Sequence, residues 1–304
     1  SRGRHAEDGG VVSRGGVALS LRRGITATDR LMIGFLLVNT AVVVWHAPVV
    51  GAWRWLLLAN ALTLTLVALL ARAPVTGLVA FIGGGYGVLL SIVYYTQLGV
   101  IALDTAHVYD ALVQRWEAAV FGGQVSVTWN QRVPSLVLSW IMHFCYGSYY
   151  WIVTGTGLWL YFRTPREAYE RGMFLITLAF YTCYLIFAFL PVTGPREFFG
   201  DATGPIATVL PARFVHRVLE LGSAWGTAFP SSHVAASWMA VMASWRDARR
   251  LALVLAPVSF GLALGTVYGQ IHYGVDAIAG AILAVALFAV GDRVRNALRP
   301  AAPW

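Results

Sequence analysis

The sequence contains no lysine, so all 22 of its Lys-plus-Arg residues are arginine and the formal charge of +8 rests on guanidinium groups alone. Charge of either sign is scarce: 12% of the 304 residues carry it, against about 25% in a soluble domain. With 58% hydrophobic residues and a mean hydropathy of +0.66, that scarcity excludes a soluble globular protein and leaves a polytopic membrane protein. Cysteine is almost absent. Cys145 and Cys183 both fall inside apolar stretches, where the thiol acts as a small hydrophobe, so no disulfide framework or cysteine metal site is expected. No cleavable signal pattern opens the chain, and the missing initiator Met reads as a processed or engineered start. The pI of 9.8 could suggest nucleic acid, but the arginines sit in short loops between apolar runs, and membrane topology accounts for them without a nucleic-acid partner.

Residues 1–28 are rich in Gly, Arg and Ser and read as a disordered basic tail. Runs long enough to cross a bilayer follow near 31–48, 54–71, 75–98, 135–161, 171–190, 232–246, 251–269 and 274–292. The run at 232–246 is short and leans on the residues just before it. Eight spans place both ends on one side. With a cytoplasmic N-terminus, 16 arginines fall on cytoplasmic segments and 6 on outer ones, which is the arrangement that arginine bias selects. The 191–231 and 268–273 loops then share the extracytoplasmic side. The expected location is a bacterial plasma membrane with both termini cytoplasmic. Two outer stretches read as amphipathic helices in the headgroup plane, a lid or access path for a lipid. In 104–133, Trp116, Val120 and Phe121 alternate with Asp110, Arg115 and Glu117; in 211–222, Phe214, Val218 and Leu221 oppose Arg213 and Arg217. Gly83-Gly84-Gly85 reads as a close helix contact.

Ionisable groups at the edge of a span are costly and are functional candidates by default. Phe229-Pro230-Ser231-Ser232-His233 opens one span: the proline suits a first turn, a serine caps it, and His233 sits at the positive end of the helix, where backbone N–H groups receive anions. His272-Tyr273-Gly274-Val275-Asp276 opens the last span. A helix starting near Tyr273 brings His272 and Asp276 to one face at i and i+4, so the carboxylate can orient the imidazole and leave its other nitrogen free to attack. Taken alone, the pair could equally be a structural cap. Pro191-Val192-Thr193-Gly194-Pro195-Arg196 follows directly on a span and puts a permanently charged, phosphate-clamping side chain on the outer face. His143, with Tyr146, Tyr149 and Tyr150 nearby, lies in the outer third of a span and is a candidate substrate contact.

Together these three motifs resemble the signature of the type-2 phosphatidic acid phosphatase superfamily, and most closely its inositol phosphorylceramide synthase-like branch. The resemblance covers roughly residues 75–292. It implies an all-α, six-helix catalytic core preceded by two accessory spans in 29–74, with a cytoplasmic tail at 293–304. It also implies roles: His272 the nucleophile, Asp276 its orienter, His233 the acid that protonates the leaving group, and Arg196 a phosphate ligand. The chain departs from the broader pattern in having no lysine ahead of the first motif, Thr266 where an arginine precedes the third, and Ser232 in place of the second-motif glycine. Neutralising a phosphate then falls to Arg196, Ser231, Ser232, Tyr268, Gln270 and helix amides, with Arg213 or Arg217 in reserve.

The expected activity is a lipid phosphatase or phosphotransferase working at the outer face through a phosphohistidine. Its partners are a lipid phosphate, an alcohol acceptor if it is a transferase, and membrane lipids. No cofactor or metal is called for, and the sequence is silent on oligomeric state. The alternatives are a transporter using the His and Asp residues as a proton relay and an intramembrane serine protease using Ser231 or Ser232. Clustering of the ionisable groups at one interface and the lack of a Gly-x-Ser-x context argue against them.

Overall fold

The computed structural model describes residues 22–300. It is all-α, with no strand among the described residues, and it has the long apolar helices of a polytopic membrane protein. The two spans expected to be accessory are α1 (Ala27–His46) and α2 (Trp53–Arg72). Most of the basic tail expected over 1–28 lies outside the described residues, but its last part does not behave as a tail. Arg23 N–H donates to the Ala73 carbonyl (3.0 Å), and its buried guanidinium pairs with Asp29 at 2.9 Å. Asp29 also closes the capping box of α1 with Thr26.

The span expected at 75–98 is two helices, α3 (Gly77–Leu89) and α4 (Ser91–Thr105), broken at Leu90. Two short helices follow, α5 (Asp110–Phe121) and α6 (Val125–Arg132). The span expected at 135–161 is also broken, into α7 (Leu136–Gly147) and α8 (Tyr149–Arg163). Ser148 at the break turns its hydroxyl back onto the Phe144 carbonyl (2.8 Å), a bond that bends helices. Helix α9 (Arg166–Phe189) is the hub, burying Phe174, Phe180, Tyr181, Tyr184 and Phe187. After α10 (Pro195–Phe199) and α11 (Leu210–Gly222) come α12 (Ser232–Asp247), α13 (Arg249–Tyr268) and α14 (Gly274–Ala297). The last helix therefore runs past residue 292, where a tail was expected to begin.

At 16 residues α12 is shorter than the ~20 a lipid-facing span requires, and its position explains why. It is enclosed by α8, α9, α13 and α14, so its ends meet protein rather than hydrocarbon. Small residues permit close packing elsewhere too: Gly84 and Gly85 of α3 lie against Tyr169 of α9, bearing out the close contact expected at the glycine triplet.

The accessory helices join the core through buried amides. Asn39 Nδ2 donates to Asn60 Oδ1 (3.2 Å) and Gln97 Oε1 (2.7 Å), and Tyr94 OH donates to Thr63 Oγ1 (2.7 Å), tying α1, α2 and α4 together. Bonds of this kind within a bilayer contribute about 0.6 kcal/mol each. At the arginine-rich end of the bundle, Arg171 grips Asp292 through Nε (2.6 Å) and a second nitrogen (2.8 Å), while Arg295 and Arg299 both pair with Glu167.

Candidate active site

Three loops meet at the opposite end. The Val192 N–H donates to the Gly226 carbonyl (3.1 Å) and the Ala228 N–H to the Val192 carbonyl (2.7 Å), joining the first-motif loop to the approach to α12. The Ser231 N–H donates to the Asp276 carbonyl (3.0 Å), joining α12 to α14. Gly194, at φ +98°, sits so close to the third loop that a Cβ would lie 3.1 Å from the Ile271 carbonyl. The third loop is a tight reversal in which the Ile271 and His272 N–H groups share the Thr266 carbonyl, at 2.9 and 3.0 Å.

His233 lies in the first turn of α12, as expected. Ser231 is the N-cap, accepting from Val234 N–H at 3.4 Å, so Pro230 stands just ahead of the cap rather than inside the turn. The imidazole packs on Tyr149 (ring centroids 4.3 Å apart) and Tyr146 (5.4 Å), and its centroid is 5.8 Å from that of His272. His272 Nδ1 stands 3.4 Å from Asp276 Oδ2, the i,i+4 pairing read from the sequence. That same oxygen accepts the Tyr273 N–H at 2.9 Å. His272 Nδ1, Asp276 Oδ1 and His233 Nδ1 are buried without a hydrogen-bond partner among the described residues. Burial pushes the His272 imidazole down to about 4, and the nearby Ala228 carbonyl opposes that shift only in part. His272 is thus a neutral base at neutral pH.

Arg196 is on α10, with Nε donating to Asp201 Oδ1 at 2.5 Å, and it lies within electrostatic range of Tyr146 and His216. Ser232 and His233 face a cavity of about 160 Å³ that Tyr95, Tyr146, Tyr149 and Tyr150 line from one side and α11 covers from the other. A larger cavity of about 500 Å³ lies between α1, α4 and α9, and neither site histidine lines it.

Several expected contacts are placed differently. The Tyr268 hydroxyl donates to the Val133 carbonyl (2.8 Å), and Gln270 Nε2 donates to the Gly200 carbonyl (2.7 Å). Both side chains hold loops. Gln270 itself has φ +59°, a left-handed residue at the reversal. Ser231 Oγ accepts the Val234 N–H as the cap, which leaves its O–H free to donate. His143 Nδ1 meets the Ser139 carbonyl at 2.8 Å, while its buried Nε2 has no partner among the described residues. Arg217 pairs with Glu220 (3.0 Å) on an exposed face, and Arg213 is exposed. On α11 the buried positions are Ala212 and Val215, whereas Phe214 and Leu221 point outward.

The largest reversal is α5. Asp110 and Glu117, read as its watery face, are wholly buried, and Trp116, Val120 and Phe121 are exposed. Asp110 accepts from Thr193 N–H (2.9 Å), Gly194 N–H (2.9 Å) and Tyr273 OH (3.2 Å). Glu117 accepts from Ser126 N–H (3.1 Å) and Val275 N–H (3.0 Å). Two acids seven residues apart share a helix face, and that spacing amid Trp and Phe was the available signal.

The family profile of the PAP2 superfamily matches residues 111–290, and the chain belongs to that superfamily. No curated protein matches the chain, and no solved structure does. Membership makes the protein an enzyme of phosphatase type and supports activity on lipid phosphates in general. The match is to the superfamily and carries nothing specific to the inositol phosphorylceramide synthase-like branch.

Proposed function

We propose that the protein transfers the phosphoryl group of a lipid phosphate or phosphodiester at the extracytoplasmic face, through a phosphohistidine on His272. The observation that carries this reading is the alignment of His233, His272 and Asp276, with ring centroids 5.8 Å apart and the carboxylate 3.4 Å behind the second ring. A single phosphoester can touch both rings from that position.

In the first step His272 Nε2, the nitrogen turned away from Asp276, attacks phosphorus. The P–N bond forms as the ester P–O bond breaks, and His233 gives a proton to the departing oxygen. In the second step water or an alcohol attacks phosphorus, the P–N bond breaks, and His233 takes the proton back. Asp276 holds the ring orientation and stabilises its positive charge. Arg196 and the backbone N–H groups opening α12 receive the phosphoryl oxygens. Ser232 adds a hydroxyl next to His233. The extracytoplasmic assignment is supported by the arginine count and by the arginine ion pairs at the opposite end of the bundle.

The deciding assay is phosphate release by purified protein from a panel of phosphatidic acid, polyprenyl phosphate and phosphoceramide, with His272→Ala alongside. Release that depends on His272 supports the phosphatase form. Formation of the phosphate monoester of an added alcohol in place of free phosphate supports the transferase form. Equal turnover by His272→Ala removes the phosphohistidine.

A further inference from the structure

Resting on that reading of the reaction, we propose that Asp110 and Glu117 are positioning residues: one face of α5 holds the Arg196 loop in register with the start of the helix that carries His272 and Asp276.

Each carboxylate is fully buried, and each uses both oxygens on groups that belong to the site or to its neighbour. Asp110 takes two consecutive N–H groups of the first-motif loop, Thr193 and Gly194, three and two residues before Arg196. Its Oδ1 also receives the hydroxyl of Tyr273, the residue after His272. One turn on, Gln114 Nε2 donates to that same Tyr273 hydroxyl at 3.0 Å. Two turns on, Glu117 takes the N–H of Val275, next to Asp276, and anchors α6 through Ser126. The stripe Asp110–Gln114–Glu117 thereby reads out both sides of the site at once.

Burying two carboxylates to hold a helix in place is an expensive solution where apolar contacts would serve. Their partners are N–H and O–H groups of the loops that frame the histidines, and these directional bonds fix position where apolar packing would only fix proximity. The loop that carries Arg196 is otherwise tied to the third loop by the close approach of Gly194 to Ile271 and by the bond from Gln270 to the Gly200 carbonyl, on the far side of Arg196. Releasing Asp110 frees Arg196 to shift relative to His272, and a misplacement of about 1 Å at a reacting centre costs about 100-fold in rate.

The test is a double-mutant cycle on the lipid phosphate of the panel that wild type turns over, with Asp110→Asn, Arg196→Ala, the double variant, Tyr273→Phe and His272→Ala. The expected results are a loss of about 100-fold in kcat/KM for Asp110→Asn and a further loss of less than about threefold when it is added to Arg196→Ala. Tyr273→Phe, which keeps the ring packing, loses about tenfold through kcat and not through KM. Full additivity in the cycle overturns the proposal, as does activity within twofold of wild type for Asp110→Asn and Tyr273→Phe while His272→Ala is dead. Should Asp110→Asn not fold, Tyr273→Phe decides alone by the same criterion. Turnover by His272→Ala overturns the reading of the reaction itself, and the proposal with it.

Discussion

A methyl group on Gly280 would stand 2.5 Å from the carbonyl oxygen of Ser231. The N-cap of α12 and the second turn of α14 are therefore in direct backbone contact, and Ser231 also donates its N–H to Asp276 one turn earlier in α14. The gap between His233 and His272 is set by this crossing, because each histidine is anchored within two residues of Ser231 or one of Tyr273.

Gly280→Ala is expected to push α14 off α12, at a cost of about 1–3 kcal/mol in stability and a larger relative loss in kcat. Gly155→Ala, where the added methyl meets open space, serves as the control. Thermal denaturation alongside turnover checks both; a Gly280→Ala enzyme with wild-type kcat would show that the histidine spacing does not depend on this crossing.

His272→Ala and Asp276→Ala are expected to lose about 10³-fold or more in kcat while remaining monodisperse in detergent. Arg196→Lys is expected to raise KM, since an ammonium cannot reproduce a guanidinium fork. Steady-state kinetics on the same lipid panel reads all three.

The pH dependence follows from the buried imidazole. His272 is pushed from 6.5 to about 4 in the fold. Between those values the unfolded chain binds a proton that the folded one refuses, so this group's contribution to stability rises with pH from about 4 to 6.5 and is complete above it. Because the nucleophile must be neutral, the acid limb of kcat/KM is expected below the ordinary histidine range, and kcat is expected to fall on the alkaline side, where His233 in the substrate complex loses its proton. A kcat profile flat from pH 5 to 9 would count against the pair.

The membrane orientation can be read with an impermeant maleimide, since Cys145 and Cys183 are buried and give little background. Thr203→Cys on the site end is expected to label in intact cells, and Asn296→Cys at the arginine-rich end only after permeabilisation. The reverse pattern would place the chemistry on the cytoplasmic face.

What the sequence determined alone is what local physics controls. Runs of apolar residues made the bundle legible, since a helix that crosses lipid must be apolar over its own length. The His272–Asp276 pairing was legible because i and i+4 share a helix face, and the Ser231 cap because a helix start needs an acceptor for its free N–H groups. The tertiary structure alone decided which way α5 faces. Its periodicity showed two faces and could not say that the acids point inward, because in lipid the usual sense of amphipathicity inverts wherever buried N–H groups need acceptors. It alone decided that Tyr268 and Gln270 hold loops, since their partners Val133 and Gly200 lie 135 and 70 residues away in the chain. The breaks at Leu90 and Ser148 are likewise invisible to hydropathy, which averages over a turn and does not register where a backbone bond is given up.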